Sequence, residues 1–287
     1  MMLFYIKVFF LKLDSNNKKK QYMKYKMLVL DMDDTLLNDD HEISIQNKEM
    51  LAKAQEMGVH IVLASGRPTP AMTAYAKELN LHNSYMISYN GAVISDLKED
   101  KIIFEQTLTQ QQIHELYDYS VKSKTHIITY VDGEIVSETD SEYIEIERKI
   151  TGLVHNKVLD FKAAVQSSAV KCILLEEPAY LKGVEKDLKL VMPHLSVSMS
   201  KPFFLEVAQN GIDKGASVKL LAEKLNILQS EIIAVGNAGN DLTMIEYAGL
   251  GVWVDNVTPE LRHKGDVIVA SNNNHGVAEV VRRFILN

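Results

Sequence analysis

The chain of 287 residues is 46% hydrophobic and 24% charged, with a net charge of −7. That composition supplies core for one large domain or two smaller ones, and the acidic balance argues against a nucleic-acid partner, which would call for a basic patch. Cys172 is the single cysteine, so no intrachain disulfide forms and a reducing, cytoplasmic setting is expected.

Residues 1–13 are apolar but broken by Lys7 and Lys12, and a polar run over 14–20 follows. The apolar run is too short to cross a membrane as a helix, and it lacks the small-residue cleavage site of a secretion signal. Residues 1–22 are expected to be a disordered extension outside the fold, and no membrane association is expected.

Leu28-Val29-Leu30-Asp31-Met32-Asp33-Asp34-Thr35-Leu36 organises the rest of the chain. Three apolar residues predict a buried strand. At its end Asp31 and Asp33 stand two apart, so their side chains point the same way. Close carboxylates repel unless a cation lies between them, and hard oxygen ligands in a small space favour Mg²⁺. The same residues would also serve as an acidic turn.

Residues 43–57 have helical spacing and stop at Gly58, a C-cap signal. Residues 60–64 form a second apolar strand, ending in Ser65-Gly66-Arg67-Pro68. A strand–helix–strand run of this kind is a right-handed unit with a parallel sheet. It brings Ser65 to the same rim as Asp31, where ligands bind in open α/β sheets. A hydroxyl and free amides there suit a phosphate oxygen. A helix over 69–79, a strand over 85–88, a tight turn at Asn90-Gly91 and a hairpin of 93–94 with 102–104 come next.

From residue 107 the texture changes. Helix 110–121, strand 126–131, the turn Asp132-Gly133 and its return 135–137 precede two helical segments. Strand 170–175, helix 180–190, and strands 195–200 and 203–207 close the region. Helices mixed with hairpin-linked strands predict an α+β insert with an antiparallel sheet. The expected division is a core of 23–106 and 203–287 carrying an inserted domain of 107–202.

Lys214 then opens a helix over 216–225, although the macrodipole favours anions at that end; a solvated lysine or a bound anion would account for it. Strand 232–235 ends in Gly236-Asn237-Ala238-Gly239-Asn240-Asp241 and leads into helix 242–248. Strands 251–254 and 267–269 and an amphipathic helix over 276–286 finish the chain.

Four loops thus reach one rim, with Asp31 and Asp33, Ser65, Lys214, and Asn237, Asn240 and Asp241. In that order they resemble the four motifs of the haloacid dehalogenase superfamily of phosphatases. Asn90-Gly91-Ala92 and the large insert are similar to its Cof-type sugar-phosphatase branch. The resemblance implies a Rossmann-like α/β fold, a parallel-sheet core with an inserted α+β cap domain. It implies that Asp31 attacks phosphorus, that Asp33 is the acid and base, and that Ser65, Gly66, Lys214 and Asn240 hold the phosphoryl group. Mg²⁺ would lie on Asp31, Asp33, Asn237 and Asp241. The partner would be a small phosphorylated metabolite, and the assembly a monomer or weak homodimer. Two residues depart from the pattern: Asp34 stands in place of Gly, and Asn237 in place of a metal-binding Asp. A phosphomutase of the same superfamily and a catalytically weak phosphate-ligand sensor are the alternatives.

Overall fold

The structure, a computed structural model, describes residues 24–81 and 83–286; the expected extension of 1–22 lies outside them. The apolar run before Asp31 becomes β1 (Met27–Asp31), buried at every position. In chain order α1 (Ile45–Glu56), β2 (His60–Ala64), α2 (Thr69–Glu78), β3 (Tyr85–Ser88), β4 (Val93–Asp96) and β5 (Lys101–Glu105) follow. After the insert come α7 (Lys214–Leu225), β12 (Ile232–Gly236), α8 (Leu242–Tyr247), β13 (Leu250–Val254), β14 (Val267–Val269) and α9 (Gly276–Phe284).

These strands form one eight-stranded sheet in the order β14-β13-β12-β1-β2-β3-β4-β5. It is parallel as far as β3 and antiparallel at β4 and β5. Alternation along β1 splits its side chains between two cores. Leu28 and Leu30 pack with Met50 and Leu51 of α1 and Val277 and Val281 of α9. Met27 and Val29 pack with Val218 and Leu221 of α7 and Met244 and Ile245 of α8. Each such aliphatic side chain, removed from water, stabilises the fold by about 1.5–3 kcal/mol. The chain leaves β1 toward β2 on one side and returns through β12 on the other. β1 is therefore a switch point, and a crevice opens at its carboxyl end. Asp31 pairs with Ala64, and Leu30 with Val235, so the loops after β1, β2 and β12 emerge side by side.

The insert holds α3 (Gln110–Lys122), β6 (His126–Val131), β7 (Glu134–Ser137), α4 (Glu142–Thr151), β8 (His155–Lys157) and α5 (Phe161–Ala164). β9 (Lys171–Leu175), α6 (Pro178–Val191), β10 (Leu195–Lys201) and β11 (Phe204–Gln209) complete it. Its sheet runs β10-β11-β9-β6-β7-β8 and is antiparallel save for the β7–β8 pair. α3 and α6 cover one face through Ile113, Leu116, Leu181 and Leu188. On the other, Ile128, Ile173 and Phe204 pack with Ile144 of α4.

One expectation is corrected, and one strand joins the cap sheet that the sequence does not announce. The expected division places residues 204–209 in the core, yet β11 pairs with β10 and β9 in the cap sheet. An apolar strand suits either sheet, and the short return from β10 makes the local hairpin the pairing that forms. The polar stretch His155-Asn156-Lys157 carries no strand signal, but it is an edge strand that needs only one neighbour, β7.

Candidate active site

Beyond β1 the chain turns within Met32–Leu36, with Asp33 extended and Asp34 left-handed at φ 56°, ψ 16°. A residue with a Cβ is disfavoured there by roughly 1–2 kcal/mol. The turn is braced from outside. Asn256 Nδ2 donates to the Asp34 carbonyl at 2.7 Å, and Asn272 Nδ2 to the Leu37 carbonyl at 3.2 Å.

Lys214 does not reach toward solvent. Its Nζ donates to Asp31 Oδ1 and to Asp241 Oδ1, each at 2.6 Å. Lys214 and Asp241 are fully buried and Asp31 is 5% exposed. A cation at a helix N-terminus is offset here by two carboxylates of the protein itself, while Asp213 accepts from the Ala216 amide and caps the helix. Asp241 Oδ2 accepts from the main-chain amides of Asn237 and Ala238, both at 3.0 Å. Both oxygens of Asp241, expected among the metal ligands, are engaged within the protein, and the residue ties the β12 loop to Lys214. Gly236 leaves room for it: a Cβ there would stand 2.5 Å from that of Asp241. Burial and the charge of Asp241 push the Asp31 carboxyl up to about 7, with Lys214 pulling the other way. Burial works against the Lys214 ammonium, but Asp241 and Asp31 outweigh it and hold its pKa above the ordinary lysine value.

Asp33 faces a partner to which the sequence pattern assigns no role. Arg67 clamps it with a two-point fork, Nε to Oδ2 at 2.9 Å and Nη2 to Oδ1 at 2.6 Å. The ring of Tyr75 lies 5.3 Å from the guanidinium. Burial opposes ionisation of Asp33, but Arg67 prevails and holds its pKa below the usual carboxylate value. The signal is present in the sequence: an arginine two residues past Ser65, on the same rim loop. The Arg67 amide also donates to the buried Ser65 Oγ at 3.1 Å.

The turn after β3 links the remaining loops. Asn90, left-handed at φ 55°, donates its amide to the Ser65 carbonyl at 2.9 Å. Its Oδ1 accepts from Asn240 Nδ2 at 3.1 Å. Gly66 sits against it, where an added Cβ would come within 3.0 Å of the Asn90 amide group. Asn237 Oδ1 accepts from Thr35 Oγ1 at 3.3 Å.

Asp31, Asp33, Ser65, Gly66, Asn237 and Asn240 line one cavity of about 680 Å³ between core and cap, and Lys214 and Asp241 lie beneath its wall. Glu147, Lys171 and Glu206 face it from the cap; nothing in the sequence sets these three apart from surface charges. Among the described residues no three His, Cys, Asp or Glu side chains form a metal cage. The oxygens of Asp31 and Asn237 suit a hard cation that keeps much of its shell as water and substrate phosphate, as Mg²⁺ does.

The sequence pattern of haloacid dehalogenase-like hydrolases matches residues 28–281. YxeH of Bacillus subtilis is 34% identical over 268 residues, spanning 91% of this chain and 99% of that protein. The 5-amino-6-(5-phospho-D-ribitylamino)uracil phosphatase YcsE of the same organism is 27% identical over 268 residues, spanning 93% and 99%. The crystal structure of a haloacid dehalogenase-like hydrolase from Bacteroides thetaiotaomicron superposes with a TM-score of 0.86 at 34% identity, covering 91% of this chain and 99% of that one.

Proposed function

The chain belongs to the haloacid dehalogenase-like hydrolases and is a phosphatase of small phosphorylated substrates, and from that premise we propose that it cleaves sugar phosphates or similar monoesters through an aspartyl-phosphate, with Mg²⁺ as cofactor. The observation that carries this reading is Asp31 itself. It lines the cavity with one oxygen fixed by the sealed Lys214 at 2.6 Å, which leaves the other to attack. A carboxylate held in this way is a positioned nucleophile.

The free oxygen of Asp31 bonds to phosphorus as the ester P–O bond breaks, and Asp33 gives the departing alkoxide a proton. Water then attacks phosphorus and yields its proton to Asp33. The Asp31–phosphorus bond breaks, releasing phosphate and restoring both carboxyl groups. Donation in the first half requires a protonated Asp33, so Arg67 must turn from Asp33 toward the incoming phosphate. Ser65, the Gly66 amide and Asn240 hold phosphoryl oxygens as charge shifts among them. Lys214 acts from below, through Asp31. Mg²⁺ would be held by Asp31, the Asp33 carbonyl and Asn237, and would supply charge neutralisation at the phosphoryl group.

YcsE acts, by its name, on an ester of a ribityl chain, and the polar cap wall supports a substrate with hydroxyls here too. No helix among the described residues is long and apolar enough to cross a membrane. Cys172 is a buried free thiol, in keeping with the cytoplasmic setting we propose.

Asp31→Asn keeps the shape and removes the attacking charge. Hydrolysis of p-nitrophenyl phosphate and of a panel of sugar phosphates, read as released phosphate, should fall about a thousandfold or more. A variant that keeps a tenth of wild-type turnover overturns the assignment.

A further inference from the structure

Across the cavity from Asp31 the cap presents buried ionisable groups for which the chemistry at phosphorus has no use. Lys171 of β9 and Glu206 of β11 share the face of the cap sheet that α4 covers, and Glu147 projects onto that face from α4. Lys171 is 4% and Glu147 5% exposed. Lys171 Nζ donates to Glu206 Oε1 at 2.8 Å. It lies 5.8 Å and 5.9 Å from the ring centres of Tyr89 and Tyr130, so both its charge and its stem are fixed in place. Glu147 Oε1 accepts from the Tyr130 hydroxyl. Among the described residues, the second oxygen of each glutamate has no hydrogen-bonding partner.

Structure alone gives little reason for this arrangement. A carboxylate buried with one hydrogen bond is costly, and a leucine or methionine would pack against Ile144 and Phe204 without that penalty. Carboxylates whose second oxygen opens onto a cavity wall without a protein partner mark the place of a ligand. The two carboxylates outnumber the one buried ammonium. Lys149 and Lys201, also on the wall, are exposed, and solvent weakens their pull relative to that of the buried Lys171.

We propose that Glu147, with Glu206 and Lys171, selects the leaving group: the two free carboxylate oxygens accept hydrogen bonds from hydroxyls of an uncharged polyol, and their excess negative charge rejects a leaving group bearing a second phosphate. The inference rests on the phosphatase reading and adds the residues and the sign of the selection. Burial lifts the Glu147 carboxyl above the usual range, against Lys171 and Tyr130, which makes its free oxygen a stronger acceptor. Hydrogen bonds to an ionised acceptor are roughly twice as strong as neutral ones, so the discrimination should be large enough to measure.

The test is steady-state kcat/KM of the full chain on ribitol 5-phosphate, fructose 1,6-bisphosphate and p-nitrophenyl phosphate. Wild type should favour ribitol 5-phosphate over the bisphosphate by about tenfold or more; equal or reversed preference overturns the proposal. Glu147→Gln keeps the volume and still offers an acceptor to Tyr130. It should lower kcat/KM for ribitol 5-phosphate about tenfold, raise it for the bisphosphate, and leave the aryl ester, which has no hydroxyls to read, within about twofold. An equal fall on all three esters, as a merely structural role would give, overturns it, and so does no change on any. If Glu147→Gln does not fold, the wild-type preference decides. Turnover of none of the three by wild type would remove the phosphatase reading itself, whereas turnover of the aryl ester without preference removes only the selection.

Discussion

The two walls of the cavity are built on opposite plans. On the core side Lys214 fills both of its short contacts with Asp31 and Asp241, and Asp241 spends its other oxygen on two amides. On the cap side one ion pair and one lone carboxylate keep an oxygen each without a protein partner among the described residues. The core wall is over-determined, and the cap wall is left for a substrate to complete. The difference follows from the jobs. Positioning a nucleophile rewards rigidity within a fraction of an ångström, whereas sorting leaving groups rewards groups whose hydrogen bonds only the right ligand can satisfy.

The largest expected effect separates the walls by stability. Lys214→Met leaves two buried carboxylates facing each other without a cation. Removing one partner of a buried pair is strongly destabilising, by about 3–5 kcal/mol. Lys171→Met strands Glu206, whose side chain is 17% exposed, and removes the charge that favours ionised Glu147, and it should cost about 1–3 kcal/mol. Urea denaturation of both variants, with the slope checked for two-state behaviour, gives the comparison. If Lys171→Met proves the more damaging, the cap cluster is structural glue and the contrast between the walls is wrong.

The core wall is legible in the sequence because each of its parts follows an apolar strand. Asp31, Ser65 and Asn237 come at the ends of β1, β2 and β12, and parallel strands bring such ends to one rim whatever the details. The pairing among them is not legible. From the sequence Lys214 awaits an anion, and only the packed fold shows Asp31 and Asp241 as its partners. Arg67 reads as part of a loop, but its bond to Asp33 spans 34 positions and follows no local period. The cap is legible as a kind of domain and not as a site. Glu147 sits in a helix rich in glutamate, and Lys171 and Glu206 meet only because β9 and β11 pair. The boundary at β11 escapes the sequence for the same reason, since strand character does not say which sheet a strand joins.

A smaller effect sharpens the metal side of the core wall. Asn237 offers an amide oxygen, oriented by Thr35 Oγ1 at 3.3 Å, where a carboxylate would add a charge. Asn237→Asp should hold Mg²⁺ more tightly and lower the concentration for half-maximal turnover about tenfold, the equivalent of about 1.4 kcal/mol. The same substitution on an over-determined wall should leave kcat at saturating Mg²⁺ within about threefold. A midpoint that does not move would show that Asn237 is not a ligand.

The smallest effect concerns Asp34, a residue of the core wall held in an unfavourable backbone region. Its φ of 56° disfavours a Cβ by roughly 1–2 kcal/mol, and glycine in exchange loses about 0.5–1 kcal/mol of chain entropy. The bond from Asn256 goes to the main-chain carbonyl and survives any side-chain change. Asp34→Gly should therefore stabilise the fold slightly, by about 0.5 kcal/mol, and Asp34→Ala should destabilise it by about 1 kcal/mol relative to Gly. Asp34 also lines the cavity, so either change removes a negative charge near an anionic substrate and should lower KM, more so at low salt. Thermal denaturation and KM at two ionic strengths check both parts. If Gly proves less stable than Asp by more than about 1 kcal/mol, the Asp34 carboxylate has a stabilising role, and the turn after the nucleophile is held by its side chain as well as by Asn256.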